Sequence, residues 1–443
     1  QTAIGRKVPV GAEQLPGPRF DYDGFIRLIQ HTLPMLMILG WIYAVSLLVK
    51  EIVYEKQERL RHVMRIMGLR TWVYWASWMG SAMLQMTVLV SLMVTTLCAG
   101  GVFKYSDPSV IFLFFWTYSV ATIALSLFIS SFFSRAKVAA ACGGLAYYVM
   151  YLPYSVYNRF DDSLGLCGKN LLCTLSSTAM GVGMGIVGKW EMLEAGAQWG
   201  NLFTPAPVTY SGAVPNDTHS LGHVFLMLWV DTFVYLALAW YVEKVCPGTL
   251  GLPQPWYFPI LPSYWLPQGA SDDAGDGQSE SQEQADNSQL ECWEPAPAGH
   301  ALSVSIRRLA KTFGNGKRAL QGITLDMHRG TVVALLGHNG AGKSTTMSIL
   351  TGLYAPSEGD VRVNGTSIRH DALGVRRQLG VCLQHNALYE NVTVEEHMRL
   401  FCCLKSMPRS QIQAEIDNLL RDVGLAAKKS APTRALSGGM KRK

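Results

Sequence analysis

The chain has 443 residues, of which 49% are apolar and only 16% charged, with 12 Trp, a mean hydropathy of +0.16 and a formal net charge of +6. Soluble domains carry about 25% charged residues, so a wholly soluble protein is excluded, and the length suits roughly two to three domains. The basic residues cluster beside apolar runs without any nucleic-acid-binding motif, which argues against a nucleic-acid partner.

Residues 1–30 open on Gln1 without a signal peptide or basic presequence, and are read as the end of an exoplasmic region in a chain cut at both ends. Five segments are long and apolar enough to cross a bilayer, at about 32–49, 71–98, 109–133, 138–157 and 221–243. They define a transmembrane domain over 31–243. The loop from Lys50 to Arg70 holds six Lys or Arg and is expected to be cytoplasmic. Arg135 and Lys137 mark the next cytoplasmic turn, which leaves 158–220 exoplasmic. A weaker apolar stretch, Leu171 to Gly188, is rich in Gly, Ser and Thr and is read as a re-entrant hairpin. A full crossing there would place everything after residue 243 outside the cell or in a lumen.

Within the first cytoplasmic loop, Leu60, Val63, Met64 and Met67 fall at i, i+3, i+4 and i+7 with charges between them. The spacing predicts an amphipathic helix over 50–68 lying at the membrane surface. It is either a plain anchor or a coupling helix that presses on a following domain. Cys167 and Cys173 share the exoplasmic segment and are able to pair on an oxidising side. Asn216-Asp-Thr218 is a glycosylation sequon close to the last span. That span contains His223 and Asp231. An intramembrane carboxylate is costly, so Asp231 is read either as a polar contact to a lipid headgroup or another half, or as a hydrogen-bonded structural aspartate.

Residues 244–300 are read as a cytosolic linker. Within them 268–294 carry eight acidic and no basic residues, the composition of a solvated, disordered spacer. From residue 301 the pattern changes. Thr331-Val-Val-Ala-Leu-Leu336 reads as a buried parallel strand. It leads into Gly337-His338-Asn339-Gly340-Ala341-Gly342-Lys343-Ser344, a phosphate-binding loop. The glycines let backbone N–H groups close around phosphate oxygens. Lys343 supplies a point charge at the β- and γ-phosphates, and the Ser344 hydroxyl is a Mg²⁺ ligand. Thr345 then opens a helix whose N-terminus faces the phosphates. ATP and Mg²⁺ are therefore the expected cofactors.

Further on, Leu436-Ser437-Gly438-Gly439-Met440 resembles the signature of ABC transporters, with Met440 in place of the usual glutamine, a variant common in their lipid-transporting subfamily A. Val381-Cys-Leu-Gln384-His385 resembles the glutamine loop of that family, with Leu383 where the subfamily usually has proline. Phe313, in Leu309-Ala-Lys-Thr-Phe313, matches the aromatic that stacks on adenine. Glu55-Lys-Gln-Glu-Arg59-Leu60 and Met67-Gly68 resemble the subfamily's coupling region. The resemblance runs from about Phe20 to Lys443. It implies an α-helical polytopic membrane domain followed by an α/β P-loop ATPase, truncated, with 301–443 a partial ABC nucleotide-binding domain. It implies that Ser437, Gly438 and Gly439 bind the γ-phosphate held by a second nucleotide-binding domain, and that Gln384 touches Mg²⁺. The catalytic glutamate, at the end of an apolar strand finishing Asp-Glu, is expected roughly 20–30 residues beyond Lys443. The implied function is ATP-driven movement of lipid by an integral membrane protein with a cytosolic ATP domain. The alternative is a nucleotide-binding regulatory or scaffold half that does not pump.

Overall fold

The computed structural model describes residues 24–160, 164–206, 219–246, 254–260, 301–313, 316–382 and 386–442. Residues 1–23, the sequon at Asn216, most of the 244–300 linker, Gln384 and Lys443 lie outside the described residues. The chain divides into two compact units, one of 1–44, 84–122 and 145–232, the other of 45–83, 123–144 and 233–443.

Nine helices precede the linker among the described residues: α1 (Gly24–Gln57), α2 (Leu60–Ile66), α3 (Thr71–Ala99), α4 (Pro108–Phe132), α5 (Ala136–Val149), α6 (Pro153–Phe160), α7 (Leu166–Leu172), α8 (Ser176–Met192) and α9 (Leu221–Val245). Of these, α1 from Thr32, α3, α4 and α9 are long and apolar enough to cross a membrane. Their surroundings differ. In α4, 83% of the apolar window is buried, against 22% in α3. α4 is therefore wrapped by protein, whereas α3 turns Leu84, Val88, Leu89 and Leu92 outward, a surface suited to lipid tails.

The fifth expected span, 138–157, is not one helix. α5 stops at Val149 and α6 begins at Pro153. Between them Tyr151 N bonds Tyr148 O at 2.9 Å and Leu152 N bonds Val149 O at 3.1 Å, a tightened turn of the i→i−3 kind. Pro153 explains the break: it has no N–H to continue the ladder and disfavours helical geometry at Leu152, yet suits the first position of a new helix.

In the first unit α8 is largely buried and docks on this break. Thr178 Oγ1 donates to Met150 O at 2.7 Å and Ser177 Oγ to Tyr147 O at 3.3 Å, so the carbonyls freed at the end of α5 find partners in apolar surroundings. A Cβ on Gly183 would stand 2.4 Å from the Phe114 ring, and one on Gly181 2.8 Å from Tyr154. The glycines of the expected hairpin 171–188 thus seat aromatic rings against bare backbone. Its observed course is α7, a turn at 173–175, then α8. Cys173 is buried and Cys167 exposed, and both are free thiols. At the far end of α8 the Glu191 carboxylate, 2% exposed, accepts from Ser106 Oγ (2.6 Å), Ser106 N (3.1 Å), Tyr105 N (2.7 Å) and Lys104 N. One side chain thereby organises the α3–α4 loop. Asp231 on α9 is buried, and its Oδ2 has no hydrogen-bond partner among the described residues.

In the second unit the expected amphipathic helix 50–68 is divided. α1 runs on to Gln57, Arg59 adopts left-handed geometry at φ 59°, and α2 restarts at Leu60. Leu60, Met64 and Ile66 are its buried face.

The ATP-domain portion of this unit has two cores. The first is the sheet β2-β1-β3-β4, antiparallel throughout, from β1 (Leu302–Thr312), β2 (Arg318–His328), β3 (Glu358–Val363) and β4 (Thr366–Ser367). Ile306, Leu309, Leu320, Val361 and Val363 of the sheet close over Ile349 and Leu350 of α10 (Lys343–Leu350) and Val375 of α11 (Ala372–Gln378). The second core joins α12 (Val394–Leu404) and α13 (Arg409–Asp422) through Val394, Ile412, Ile416 and Leu420, with Leu425 and Leu436. Thr393 and Glu396 form a reciprocal capping box that starts α12. α14 (Gly438–Arg442) follows.

The buried parallel strand expected over 331–336 is not formed. The segment has no ladder partner among the described residues, and Val332 and Leu336 are exposed. A buried parallel strand needs neighbours along its edges and helices over both faces, and the described sheet offers it neither.

Candidate functional site

The phosphate loop is shaped by backbone demands. Gly340 (φ 90°) and Gly342 (φ 87°) both occupy the left-handed region. At Gly342 a side chain is doubly barred: its Cβ would lie 2.5 Å from Leu320 Cδ2 and 2.8 Å from Ala319 O. The loop is thereby pressed against β2 and turns directly into α10, whose first residue is Lys343. The Lys343 ammonium folds into the loop, donating to His338 O at 2.9 Å and to Gly337 O. His338 Nδ1 meets Asn339 O at 2.9 Å, and Ala341 N donates to His338 O at 3.2 Å. Ser344 is exposed at the same end, and Thr345 follows half-buried.

This arrangement fits a nucleotide phosphate. A cation, held here by two loop carbonyls, sits at the N-terminus of a helix, where N–H donors and the helix dipole favour negative charge. The exposed Ser344 hydroxyl suits a hard cation.

Phe313 follows β1 and is half-buried, its ring edge-on to Tyr354 (6.0 Å, 89°), with Lys311 Nζ 6.0 Å above it. Tyr354 lies just past the C-terminal end of α10, whereas Lys343 is at its N-terminus.

The signature segment is rooted in the other core. Leu436 is buried and Met440 packs against the α12–α13 cluster, while Ser437, Gly438 and Gly439 between them are exposed. Ser437 Oγ accepts from Met440 N at 3.3 Å, ending the approach to α14. Ser437 follows Leu436 of the second cluster, whereas Lys343 opens the helix that carries Ile349 and Leu350 of the first.

Sequence reasoning missed the residues that join this portion to the membrane helices. Tyr389 OH donates to Glu55 Oε1 at 2.8 Å and lies 3.6 Å from Met64 Sδ. Glu55 Oε2 accepts from Tyr74 OH (2.9 Å) and Trp78 Nε1 (3.2 Å) on α3. Burial, then the Glu55 charge, raises the Tyr389 hydroxyl well above its ordinary pKa, so it remains a donor. Arg61, in the helix read as an anchor or a coupling element, pairs with Glu243 of α9 and lies over the rings of Tyr74 and Trp75 at 4.6 and 4.9 Å. A short basic helix beside two aromatics gives its guanidinium a better-shielded partner there. No local pattern marks Tyr389. The run containing Glu55 was legible only as part of a resemblance.

Residues 6–241 match the family described as ABC-2 family transporter protein, and residues 320–443 the family described as ABC transporter. The chain is 42% identical to ATP-binding cassette sub-family A member 7 of Rattus norvegicus, over 97% of this chain and 19% of that protein. It is 41% identical to phospholipid-transporting ATPase ABCA7 of Homo sapiens, over 97% of this chain and 20% of the relative. It is 36% identical to phospholipid-transporting ATPase ABCA3 of Homo sapiens, over 99% and 26%. The chain therefore spans about a fifth to a quarter of the length of these curated relatives.

Proposed function

The chain belongs to subfamily A of the ABC transporters, with a membrane segment of the ABC-2 family, and from that premise we propose that it takes part in ATP-driven movement of lipid across or out of a membrane. The observation that carries the reading is the presence, in one compact unit, of a phosphate loop and of a signature-bearing body that meets the membrane helices through Tyr389 and Glu55. Two of the relatives are named as phospholipid-transporting, which favours phospholipid as substrate, with sterol or a related amphiphile of the same class.

Each site residue has a role in this reading. Main-chain groups from Gly337 to Gly342 enclose phosphate, with His338, Asn339, Gly340 and Ala341 shaping the turn. Lys343 neutralises the β- and γ-phosphates, and Ser344 with Gln384 holds Mg²⁺, which would offset phosphate charge when bound. Thr345 continues the helix that presents its N-terminus. Phe313 is assigned to the adenine ring by its place after β1. Ser437, Gly438 and Gly439 are exposed because they serve a second nucleotide-binding domain, and their separate core lets them move independently of the loop. By the charge bias of the loops, the one around Arg61 lies in the cytosol with the ATP domain, and 158–220, with its re-entrant stretch 171–188, is exoplasmic.

The test is a vesicle assay on the full-length protein with labelled phospholipid. Lys343→Ala should abolish ATP-dependent lipid movement and cut ATP affinity at least tenfold. Wild-type transport in that variant would remove this loop from the mechanism and leave a scaffold role.

A further inference from the structure

Two chains of contact meet at Tyr389, one through its side chain and one through its backbone. The hydroxyl reaches Glu55, which also holds Tyr74 and Trp78. The backbone N–H donates to His397 Nε2 at 2.8 Å, and the backbone carbonyl accepts from Thr433 Oγ1 at 2.5 Å. The strap that begins at Tyr389 continues the pairing. Thr433 N donates to Val392 O and Arg434 N to Glu390 O, both at 3.1 Å, and Thr393 bridges Pro432. Thr433 is buried and stands four residues before Ser437.

We propose that Tyr389 is a positioning residue that sets the placement of the signature segment Ser437–Gly439 according to the arrangement of α1 and α3. This rests on the functional reading above. Both main-chain polar groups of Tyr389 are committed to the α12–signature body, so a shift of Glu55 larger than side-chain rotation absorbs carries the strap with it. The strap in turn is laddered to 432–434, and only Ala435 and Leu436 separate that ladder from Ser437. The route runs to the signature and needs no transmission through the glutamine loop. Glu55 is suited to the membrane end because one carboxylate ties the last turns of α1 to the first turns of α3. A relative shift of those helices has to lengthen one of its three bonds. Such a route counts as coupling only if its members act as a unit.

The experiment compares wild type, Tyr389→Phe, Glu55→Gln and the double variant, each as full-length protein in phosphatidylcholine vesicles. Phenylalanine keeps the ring beside Met64 and His397 and removes only the hydroxyl. Phosphatidylcholine moved per ATP hydrolysed should fall about tenfold in each single variant, about 1.4 kcal/mol of coupling, with ATP affinity unchanged. The double variant should be no worse than either single one. Wild-type stoichiometry in Tyr389→Phe, or effects that multiply in the double variant, would overturn the relay. A second readout is independent of the substrate. With exposed native cysteines replaced by serine, Ala435→Cys should react with a thiol reagent at an ATP-dependent rate, and Tyr389→Phe should reduce that ATP response at least threefold. An unchanged response overturns the relay even if lipid transport itself fails, whereas a wild type that moves no lipid but shows the response refutes only the choice of substrate.

Discussion

Replacing Glu191 by alanine should destabilise the first unit by about 2–4 kcal/mol. The carboxylate accepts from four donors on the α3–α4 loop, but they are not equally exposed. Lys104 is exposed and Tyr105 half-buried, so their N–H groups regain water when the carboxylate is lost. Ser106 is 5% exposed and contributes both its N–H and its hydroxyl. The hydroxyl retains Ala197 N as a donor to it at 2.9 Å, but both Ser106 donors are left without an acceptor. Two buried donors at about 1–3 kcal/mol each, partly relieved by local rearrangement, give the stated range. For a unit of this size that is a fall of roughly 5–15 °C in the thermal midpoint. The assay is thermal unfolding of the detergent-purified protein followed by the monodisperse fraction, with Glu194→Gln, an exposed carboxylate in the same turn, as the control. A midpoint for Glu191→Ala within about 2 °C of wild type would show that the loop donors find other partners, and that the carboxylate does not organise this region.

Gly342→Ala should weaken ATP binding and lower stability by roughly 2–4 kcal/mol, because left-handed geometry and the close approach to Leu320 and Ala319 both resist a Cβ; isothermal titration and thermal unfolding measure the two effects. Single cysteines at Glu58 and Ala195, both exposed, should label from opposite sides of the membrane, Ala195 from outside, and same-side labelling refutes the re-entrant reading of 171–188. Burial first, then the charges of Arg65 and Arg59, lowers the pKa of His62, and burial lowers that of His397, whose Nε2 must stay unprotonated to accept from Tyr389 N. Their stabilising effect is therefore complete above the unfolded value of about 6.5 and is lost as pH falls through the lower folded values. The thermal midpoint should drop between pH 7 and pH 5, and His397→Gln, which keeps an acceptor, should flatten that dependence.

The apolar runs that became α3 and α4 are legible because uniform apolarity over such a length has few folded solutions other than a spanning helix. The run 138–157 has the same average character, yet one residue, Pro153, divides it, and an average over a window conceals one missing N–H. The phosphate loop was legible for the opposite reason. Its chemistry is written in glycines that particular backbone angles require, and those angles are found at Gly340 and Gly342. The run Thr331–Leu336 misled because apolar composition speaks for burial only where a partner sheet exists. The pairing of Glu55 with Tyr389 joins residues 334 apart in sequence, and nothing local to either side chain encodes the other. The break at Arg59 was equally hidden, since left-handed geometry at a non-glycine residue leaves no mark on a hydrophobic period.

The packing of Met440 separates two languages within one motif. Ser437, Gly438 and Gly439 face outward, but the next side chain turns back into the core formed by α12 and α13. What is written at 440 is therefore read by the protein's own interior rather than by a ligand. A flexible thioether fills an irregular apolar gap well, whereas a glutamine there must find partners for its amide or turn outward and leave the gap open. Methionine at this place is a packing residue. It packs beside three exposed residues, and variation at 440 should track the neighbouring helices rather than the Ser-Gly-Gly triplet.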